Sequence, residues 1–282
     1  MSRRVNIFSS LASGCGDADV NAFFALSDMS EANLAAWLAT IGKTYAEVKD
    51  AVCTMITSMK ADGVYNKGGS DAFYIPIGNT STQRKYNFIN PLDTDAAFRL
   101  SFNGGITFTN FAIKGNAING WTDTFWIPNS NASSGSIAFG IDSEDNIVTG
   151  SNQLHGVFQN TGLKFMQLNL GATTGHNFIA DGAANVISFT GTRKGLFFSR
   201  RDSSTFNQSY REATSLGSDS SSPYTPNTIS FYLNARNRDG LTDLYSLYGV
   251  RMAILSGGVW SETDYLNFRT HYNTFKTTMG IV

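Results

Sequence analysis

The stretch Ile229-Ser-Phe-Tyr-Leu-Asn-Ala-Arg236 decides the fold class of this chain. Apolar residues occupy every second position, and polar or amphipathic residues lie between them. A period of two places one face of a strand in a core and the other toward solvent, which is typical of antiparallel sheets. The same alternation appears at Phe98–Phe102, Ile137–Ile141 and Tyr248–Ile254, with Gly- and Asn-rich turns between the runs. The sequence therefore predicts a mainly β protein built as a two-layer sandwich of jelly-roll type.

Composition narrows the function classes. Only 15% of the residues are charged, against roughly 25% in an average domain, yet 41% are hydrophobic and 13% aromatic, so the chain is predicted to fold. A net charge of −1 argues against the basic surface that binds nucleic acid. No apolar stretch is long enough to span a membrane, and no secretory leader is visible, so we expect no membrane insertion and synthesis in a cytoplasm.

The beginning and the end of the chain have helical patterns. Thr44 and Glu47 match a capping box ahead of an amphipathic run that ends near Gly63, and Ser261 with Asp264 matches another ahead of a C-terminal amphipathic helix. We therefore divide the chain into an N-terminal helical segment, residues 1–63, and a sandwich, residues 64–282.

The helical segment carries large aromatic residues without an evident core of its own. Phe23, Phe24 and Trp37 are predicted to dock on the sandwich or on a partner chain, and we take them as candidate assembly residues. The only two cysteines, Cys15 and Cys53, lack metal-ligand spacing. We expect them to be reduced thiols, with a disulfide as the other option.

No catalytic motif is visible. The chain lacks a G-x-S-x-G nucleophile elbow and a P-loop, and its three histidines show no ligand spacing. Glycoside hydrolases need two carboxylates on either side of the scissile bond. Glu144 and Glu212 are the glutamates outside predicted helix starts, and they lie far apart in sequence. We therefore predict no catalytic residues and no enzymatic activity.

Two segments are candidates for ligand contacts. Asp142-Ser-Glu144-Asp145 offers oxygen ligands of the kind that Ca²⁺ takes, although a solvated turn would explain the same residues. No other cofactor is indicated. Trp121-Thr-Asp-Thr-Phe-Trp126 is rich in aromatic residues. Trp126 shares the parity of two threonines, so its ring could face outward and stack on a sugar, but a role as core or interface filler is the favoured interpretation.

The chain from Val48 to Gly280 resembles a family of concanavalin A-like, laminin-G-like sandwich proteins of tailed bacteriophages and prophages. Residues 1–30 lie outside this resemblance. The most diagnostic run is Asp93-Thr-Asp-Ala-Ala-Phe-Arg-Leu-Ser-Phe-Asn-Gly-Gly105. The other segments that carry it are Asp71–Gly78, Lys85–Pro91, Ser199–Ser204, Tyr248–Ser256 and Leu266–Gly280.

The resemblance implies a structural protein of the virion, such as a fibre, appendage or decoration protein, made in the host bacterial cytoplasm. Its implied partners are other virion proteins, further copies of the same chain and a glycan of the host surface. The family has no fixed ligand motif, so no site residue is carried over. A stand-alone carbohydrate-binding module and a glycan-cleaving enzyme remain alternative hypotheses.

Overall fold

Three helices open the described chain, and each begins at a capping residue. The structure is a computed structural model that describes residues 14–146, 154–171, 174–182, 186–221 and 223–281. The Asp17 carboxylate accepts from two backbone N–H groups of the first helix, and Thr44 and Glu47 form the predicted capping box of the third. Gly42 ends the second helix in the left-handed conformation. The helices are α1 (Ala18–Leu26), α2 (Glu31–Ile41) and α3 (Tyr45–Ala61).

Two sheets follow, and nearly all of their strand pairs are antiparallel. Among the described residues, sheet A contains β1 (Ala72–Tyr74), β3 (Thr107–Phe108), β4 (Ile113–Lys114), β6 (Ile137–Ser143), β11 (Gly195–Arg201), β12 (Asn207–Arg211), β13 (Thr214–Asp219) and β17 (Gly249–Ser256). Its order is β13-β12-β11-β6-β17-β4-β3, and β1 also pairs with β17.

Sheet B is built from the other strands. Within the same described ranges it contains β2 (Ser101–Asn103), β5 (Trp121–Asp123), β7 (Leu154–Gln159), β8 (Lys164–Asn169), β9 (Gly175–Asp181), β10 (Ser188–Phe189), β14 (Tyr232–Leu233), β15 (Arg236–Arg238) and β16 (Leu241–Asp243). Its order is β10-β9-β8-β7-β14-β5-β2, and β15 pairs with β16 and, in parallel, with β7.

The inward faces of the two sheets form one apolar core. Phe231 and Leu233 from the stretch that predicts the fold are fully buried in it, and the Phe231 ring centroid lies 5.5 Å from that of Phe139 on β6. Buried apolar positions of β6 alternate between this core and the opposite face of sheet A. The predicted mainly β sandwich is therefore confirmed.

The helices cover the outer face of sheet A. The C-terminal helix α6 (Glu262–Met279) has the predicted Ser261–Asp264 capping box and packs beside α3. Phe268 of α6 lies 6.1 Å from Phe73 of β1, measured between ring centroids, within a cluster that also contains the buried side chains of α1, α2 and α3. Side chains from both sides of residue 63 thus share one core. Two short helices, α4 (Ser81–Arg84) and α5 (Pro128–Asn131), and a 3-10 turn at Asp95–Ala97 lie in the connections.

The candidate assembly residues belong to this internal core. Phe23, Phe24 and Trp37 are at most 3% exposed, and the Phe23 ring stacks on Phe88 with 4.2 Å between the centroids. The Trp37 indole donates to the Asn110 carbonyl at 2.7 Å. Their assignment to a partner-chain contact is therefore corrected: the sandwich itself provides the apolar surface that these rings need.

The expectation of reduced cysteines is also wrong. Cys15, just before α1, forms a disulfide with Cys53 of α3. Lys60 of α3 adds an ion pair to the Asp17 carboxylate at 2.7 Å. The start of the described chain is thus fixed to α3 by a covalent bond and a charged contact.

Candidate functional site

The outer face of sheet B differs from that of sheet A. Among the described residues, the apolar cluster that contains the helices includes strand residues of sheet A only. The helices therefore pack on sheet A, and the outer face of sheet B is the candidate surface for contacts with other molecules. Large aromatic rings occur there in two groups.

The first group is a stacked pair of rings on adjacent strands. Trp121 on β5 and Tyr232 on β14 lie with centroids 4.4 Å apart and ring planes 28° apart. The residues that follow them, Thr122 and Leu233, face each other in the ladder and are fully buried on the inward side. Trp121 and Tyr232 therefore point outward, where Trp121 is half-buried. We call this pair the aromatic platform.

A carboxylate lies beside the platform. Asp123 follows Trp121 by two positions on β5, so it shares the outer face, and it is the ladder partner of Tyr232. Its Oδ1 accepts from the Phe125 N–H at 2.8 Å, and the Ser230 hydroxyl hydrogen-bonds the Asp123 and Tyr232 side chains. Burial raises the pKa of Asp123. Burial, followed by the charge of Asp123, raises the pKa of Tyr232 to about 12.

Edge strand β2 adds polar side chains to the same surface. Ser101 pairs with Asp123 and Asn103 pairs with Trp121, so both lie on the outer face. Next to Ser101 is a cavity of about 270 Å³. Its lining includes Lys85 and Arg99. The arrangement combines apolar ring faces with hydrogen-bonding groups at their border.

Beneath the platform, a buried polar network fixes the backbone. The Asn234 N–H donates to His155 Nδ1 at 3.0 Å, and the Asn234 amide donates to the carbonyls of Tyr248 and Ile113, at 2.9 and 3.3 Å. These carbonyls belong to the sheet A side, so Asn234 connects the two layers. Burial lowers the pKa of His155 to about 3, because the imidazolium would lose its hydration there.

The second aromatic group is a row of three rings. Phe158 of β7 stacks on Phe165 of β8 at 4.4 Å, and Phe165 lies 5.5 Å from Phe178, all between centroids. The Arg236 guanidinium lies over the Phe158 ring at 5.1 Å. Phe158 and Phe178 are at most 6% exposed and Phe165 is half-buried, while in the platform Tyr232 is 7% exposed and Trp121 is half-buried. The platform differs from this group in having a carboxylate and an amide, Asp123 and Asn103, at its border.

Of the two tryptophans predicted to contact a sugar, the structure places only Trp121 on this surface. Trp126 is fully buried, and its indole donates to the Ser70 carbonyl at 3.0 Å. Trp126 does share the parity of Thr122 and Thr124, but these threonines face inward. The Thr124 hydroxyl donates to the Phe231 carbonyl at 2.7 Å, which satisfies its polarity inside the core. Trp126 therefore fills the core, as the favoured interpretation predicted, and its candidacy as a sugar contact is corrected.

The proposed calcium ligands point in different directions. Asp142 lies on the helix-covered face of sheet A. The Glu144 carboxylate accepts from the Thr109 hydroxyl at 3.0 Å, whereas Asp145 pairs with Lys114 at 3.0 Å. Nowhere in the described part of the chain do three His, Cys, Asp or Glu side chains converge to hold a metal. The Ca²⁺ assignment of Asp142, Glu144 and Asp145 is therefore corrected.

Asp142 instead belongs to a buried network that fixes α6 on sheet A. Its Oδ1 accepts from Arg251 at 2.8 Å and its Oδ2 from the Tyr272 hydroxyl at 2.7 Å. The Lys276 ammonium lies 3.6 Å from both Asp142 and Glu212. Glu212 also pairs with Arg269 of α6 at 3.2 Å. Glu144 and Glu212, the glutamates considered for glycoside cleavage, thus have separate partners.

The fold can be compared with solved structures. No protein-family model and no curated protein sequence matches the chain. It is similar to a Trypanosoma rangeli sialidase in complex with sialic acid, with a TM-score of 0.52, 11% identity, and coverage of 80% of this chain and 39% of the sialidase. It is also similar to HCR/D-Sa-GBL1/C, with a TM-score of 0.50, 8% identity, and coverage of 73% and 52%. A binding domain of botulinum neurotoxin DC in complex with SialylT has a TM-score of 0.48 and 9% identity, and the match covers 72% of this chain and 52% of that domain's chain.

The likenesses to the sialidase and to HCR/D-Sa-GBL1/C establish the fold, a lectin-like β-sandwich. The chain spans 39% of the sialidase and about half of the other two chains. The expectation that the chain is not an enzyme is corrected by the sialidase match, because a sandwich of this kind also occurs in sialidase chains. The fold alone does not separate binding proteins from catalytic ones.

The described helices include none with the length and apolar character needed to cross a bilayer.

Sequence reasoning missed Tyr232 and Asp123 as parts of one surface. The alternation around Tyr232 does place its ring outward, opposite Phe231 and Leu233. Nothing in the sequence, however, indicates that a strand more than 100 residues earlier is its neighbour.

Proposed function

We propose that the protein binds glycans, and that the aromatic platform of Trp121 and Tyr232 is the contact surface. The observation that carries this proposal is the half-buried indole of Trp121, stacked on Tyr232 and bordered by Asp123 and Asn103. The C–H faces of a pyranose pack on aromatic rings, while carboxylate and amide groups at the border exchange hydrogen bonds with its hydroxyls. The sialic acid named with the similar sialidase structure is also a carbohydrate.

Intrinsic fluorescence offers a direct test because the chain has four tryptophans and only one is accessible. Trp37, Trp126 and Trp260 are at most 1% exposed, whereas Trp121 is half-buried. Oligosaccharides selected on a printed panel of neutral and sialylated glycans would be titrated into the full chain. We expect a saturable change in emission, because a sugar stacked on Trp121 alters the environment of that indole alone.

Variants connect the signal to the platform. Trp121→Ala should weaken binding at least tenfold, about 1.4 kcal/mol, since it removes the ring on which the sugar stacks. Trp121→Tyr should retain part of the affinity. Val259→Ala alters an exposed apolar residue just before α6 and should leave binding unchanged. Absence of any glycan bound by the folded wild-type chain, or full affinity in Trp121→Ala, would overturn the proposal.

We further propose that this glycan-binding sandwich is carried on a tailed-bacteriophage virion and contacts host-surface glycans, with other virion proteins and copies of itself as partners. Support comes from the sequence resemblance, above all from the run Asp93–Gly105. Mass spectrometry of density-purified particles would test it. We expect stoichiometric amounts of the chain in the particles, and its absence from them would refute a virion location.

A further inference from the structure

We propose that the platform selects a neutral hexopyranose whose adjacent hydroxyls face Asp123, and discriminates against acidic sugars. This inference rests on the proposed glycan-binding function and specifies its ligand class. It follows from the distribution of charge on the outer face of sheet B. The carboxylate of Asp123 adjoins the platform, while the cations of the same region are engaged elsewhere.

The Asp123 carboxylate can accept further hydrogen bonds. A carboxylate offers about four lone-pair positions. The Phe125 N–H and the Ser230 hydroxyl occupy two of them in this structure. The side chain is half-buried, so it is neither solvated on all sides nor closed off. Two neighbouring sugar hydroxyls can donate to the positions that remain, and such charge-assisted hydrogen bonds are stronger than neutral ones.

The nearest cations, on the β2 side of the platform, already have carboxylate partners. Lys85 contacts Asp93 at 2.5 Å. The Arg99 guanidinium contacts Asp93 and Asp95, each at 2.9 Å. This cluster contains two positive and two negative groups. Asp123 therefore leaves the β2 side of the platform with an excess of negative charge.

The cations on the opposite side lie over the Phe158 ring, with the Arg236 and Arg238 guanidinium groups 5.1 and 5.6 Å from its centroid, and both have a carboxylate partner in Asp243. Arg236 forms a two-point ion pair with Asp243, at 2.8 and 2.7 Å. Arg238 is 48% exposed, and it donates to Asn160 at 3.3 Å, beyond the end of β7. Tyr232 is in register with Gly156 of β7, four residues before Asn160, which corresponds to about 13 Å along a strand. The Arg238 guanidinium, which is also 3.8 Å from Asp243, thus lies toward the Asn160 end of β7.

Among the described residues, a sugar carboxylate on the platform would consequently meet the charge of Asp123 without a nearby unpaired cation. A neutral sugar avoids this repulsion and gains the hydrogen bonds of its hydroxyls to Asp123. We expect at least a tenfold preference for neutral oligosaccharides over versions that differ only by a terminal sialic acid. The preference should shrink when the charge of Asp123 is removed.

The experiment compares matched pairs of oligosaccharides, with and without terminal sialic acid, by tryptophan fluorescence and calorimetry. The wild type should bind the neutral member at least tenfold more tightly. Asp123→Asn should lose about tenfold affinity for the neutral member and discriminate less between the two, whereas Asp50→Asn, an exposed acid on α3, should behave as the wild type. Circular dichroism would verify that each variant is folded.

The outcomes separate this inference from the proposed function. Equal or tighter wild-type binding of the sialylated members would overturn the neutral-sugar inference while glycan binding stands, and this comparison needs no variant. Unchanged neutral-sugar affinity in folded Asp123→Asn would also overturn it, because the carboxylate would then not contact the ligand. No binding of either member would instead refute the proposed function.

Discussion

Acidification should destabilise the fold through His155, which lies beneath the platform. Its Nδ1 accepts from the Asn234 N–H at 3.0 Å and its Nε2 lies 3.4 Å from the Ser246 hydroxyl, in a site with no exposure to solvent. A proton on Nδ1 would face another donor and would place a charge in the core. The neutral imidazole is therefore the form that the folded protein requires.

The magnitude follows from linkage between protonation and folding. Burial lowers the pKa of His155 from 6.5 to about 3. Between these values the unfolded chain binds a proton that the folded chain does not, so stability is present above pH 6.5 and is lost as the pH falls toward 3. One pKa unit corresponds to about 1.4 kcal/mol. At pH 4.5, two units below the unfolded value, His155 should lower the free energy of unfolding by about 3 kcal/mol.

Urea denaturation at pH 7.5 and pH 4.5 would measure this loss in the wild type and in His155→Asn. Asparagine keeps an acceptor for the Asn234 N–H and does not titrate. The variant should be less stable than the wild type at pH 7.5, because it leaves a cavity, but its loss between the two pH values should be about 3 kcal/mol smaller. Other titrating groups contribute equally to both proteins. Identical pH dependence of the two would refute the reasoning.

Two further predictions concern the helical layer. Replacing Cys15 and Cys53 by serine should lower the free energy of unfolding by about 4 kcal/mol, because the disulfide closes a loop with a sequence separation of 38 residues. Reduction of the wild type should have the same effect in urea titrations. An unchanged free energy of unfolding upon reduction would contradict this prediction. Arg251→Met should cost roughly 3–5 kcal/mol by removing the nearer of the two cations that face the buried Asp142 carboxylate, whereas Arg99→Met, in an exposed pair, should cost much less. Equal shifts in the melting temperatures of the two variants would show that burial does not control the cost.

The sequence by itself determined the local structure. Capping boxes at Thr44 and Ser261 place the starts of α3 and α6 correctly, because a cap depends on residues within one helical turn. The alternation at Ile229–Arg236 correctly separates Phe231 and Leu233, which lie in the core between the sheets, from Tyr232, whose ring lies on the opposite face against Trp121. Periodicity depends only on residues close together in the chain, so the secondary structure that it predicts does not depend on which distant segments pack together.

Tertiary structure decided what contacts what. Parity grouped Trp126 with two threonines but could not tell which face of the strand is inside, since a threonine is tolerated in a core once its hydroxyl finds a carbonyl. The stacking of Trp121 on Tyr232 and the bond between Cys15 and Cys53 depend on strand and helix packing between segments distant in the chain. Such pairings are selected by the packing of the whole core, which no local pattern in the sequence encodes.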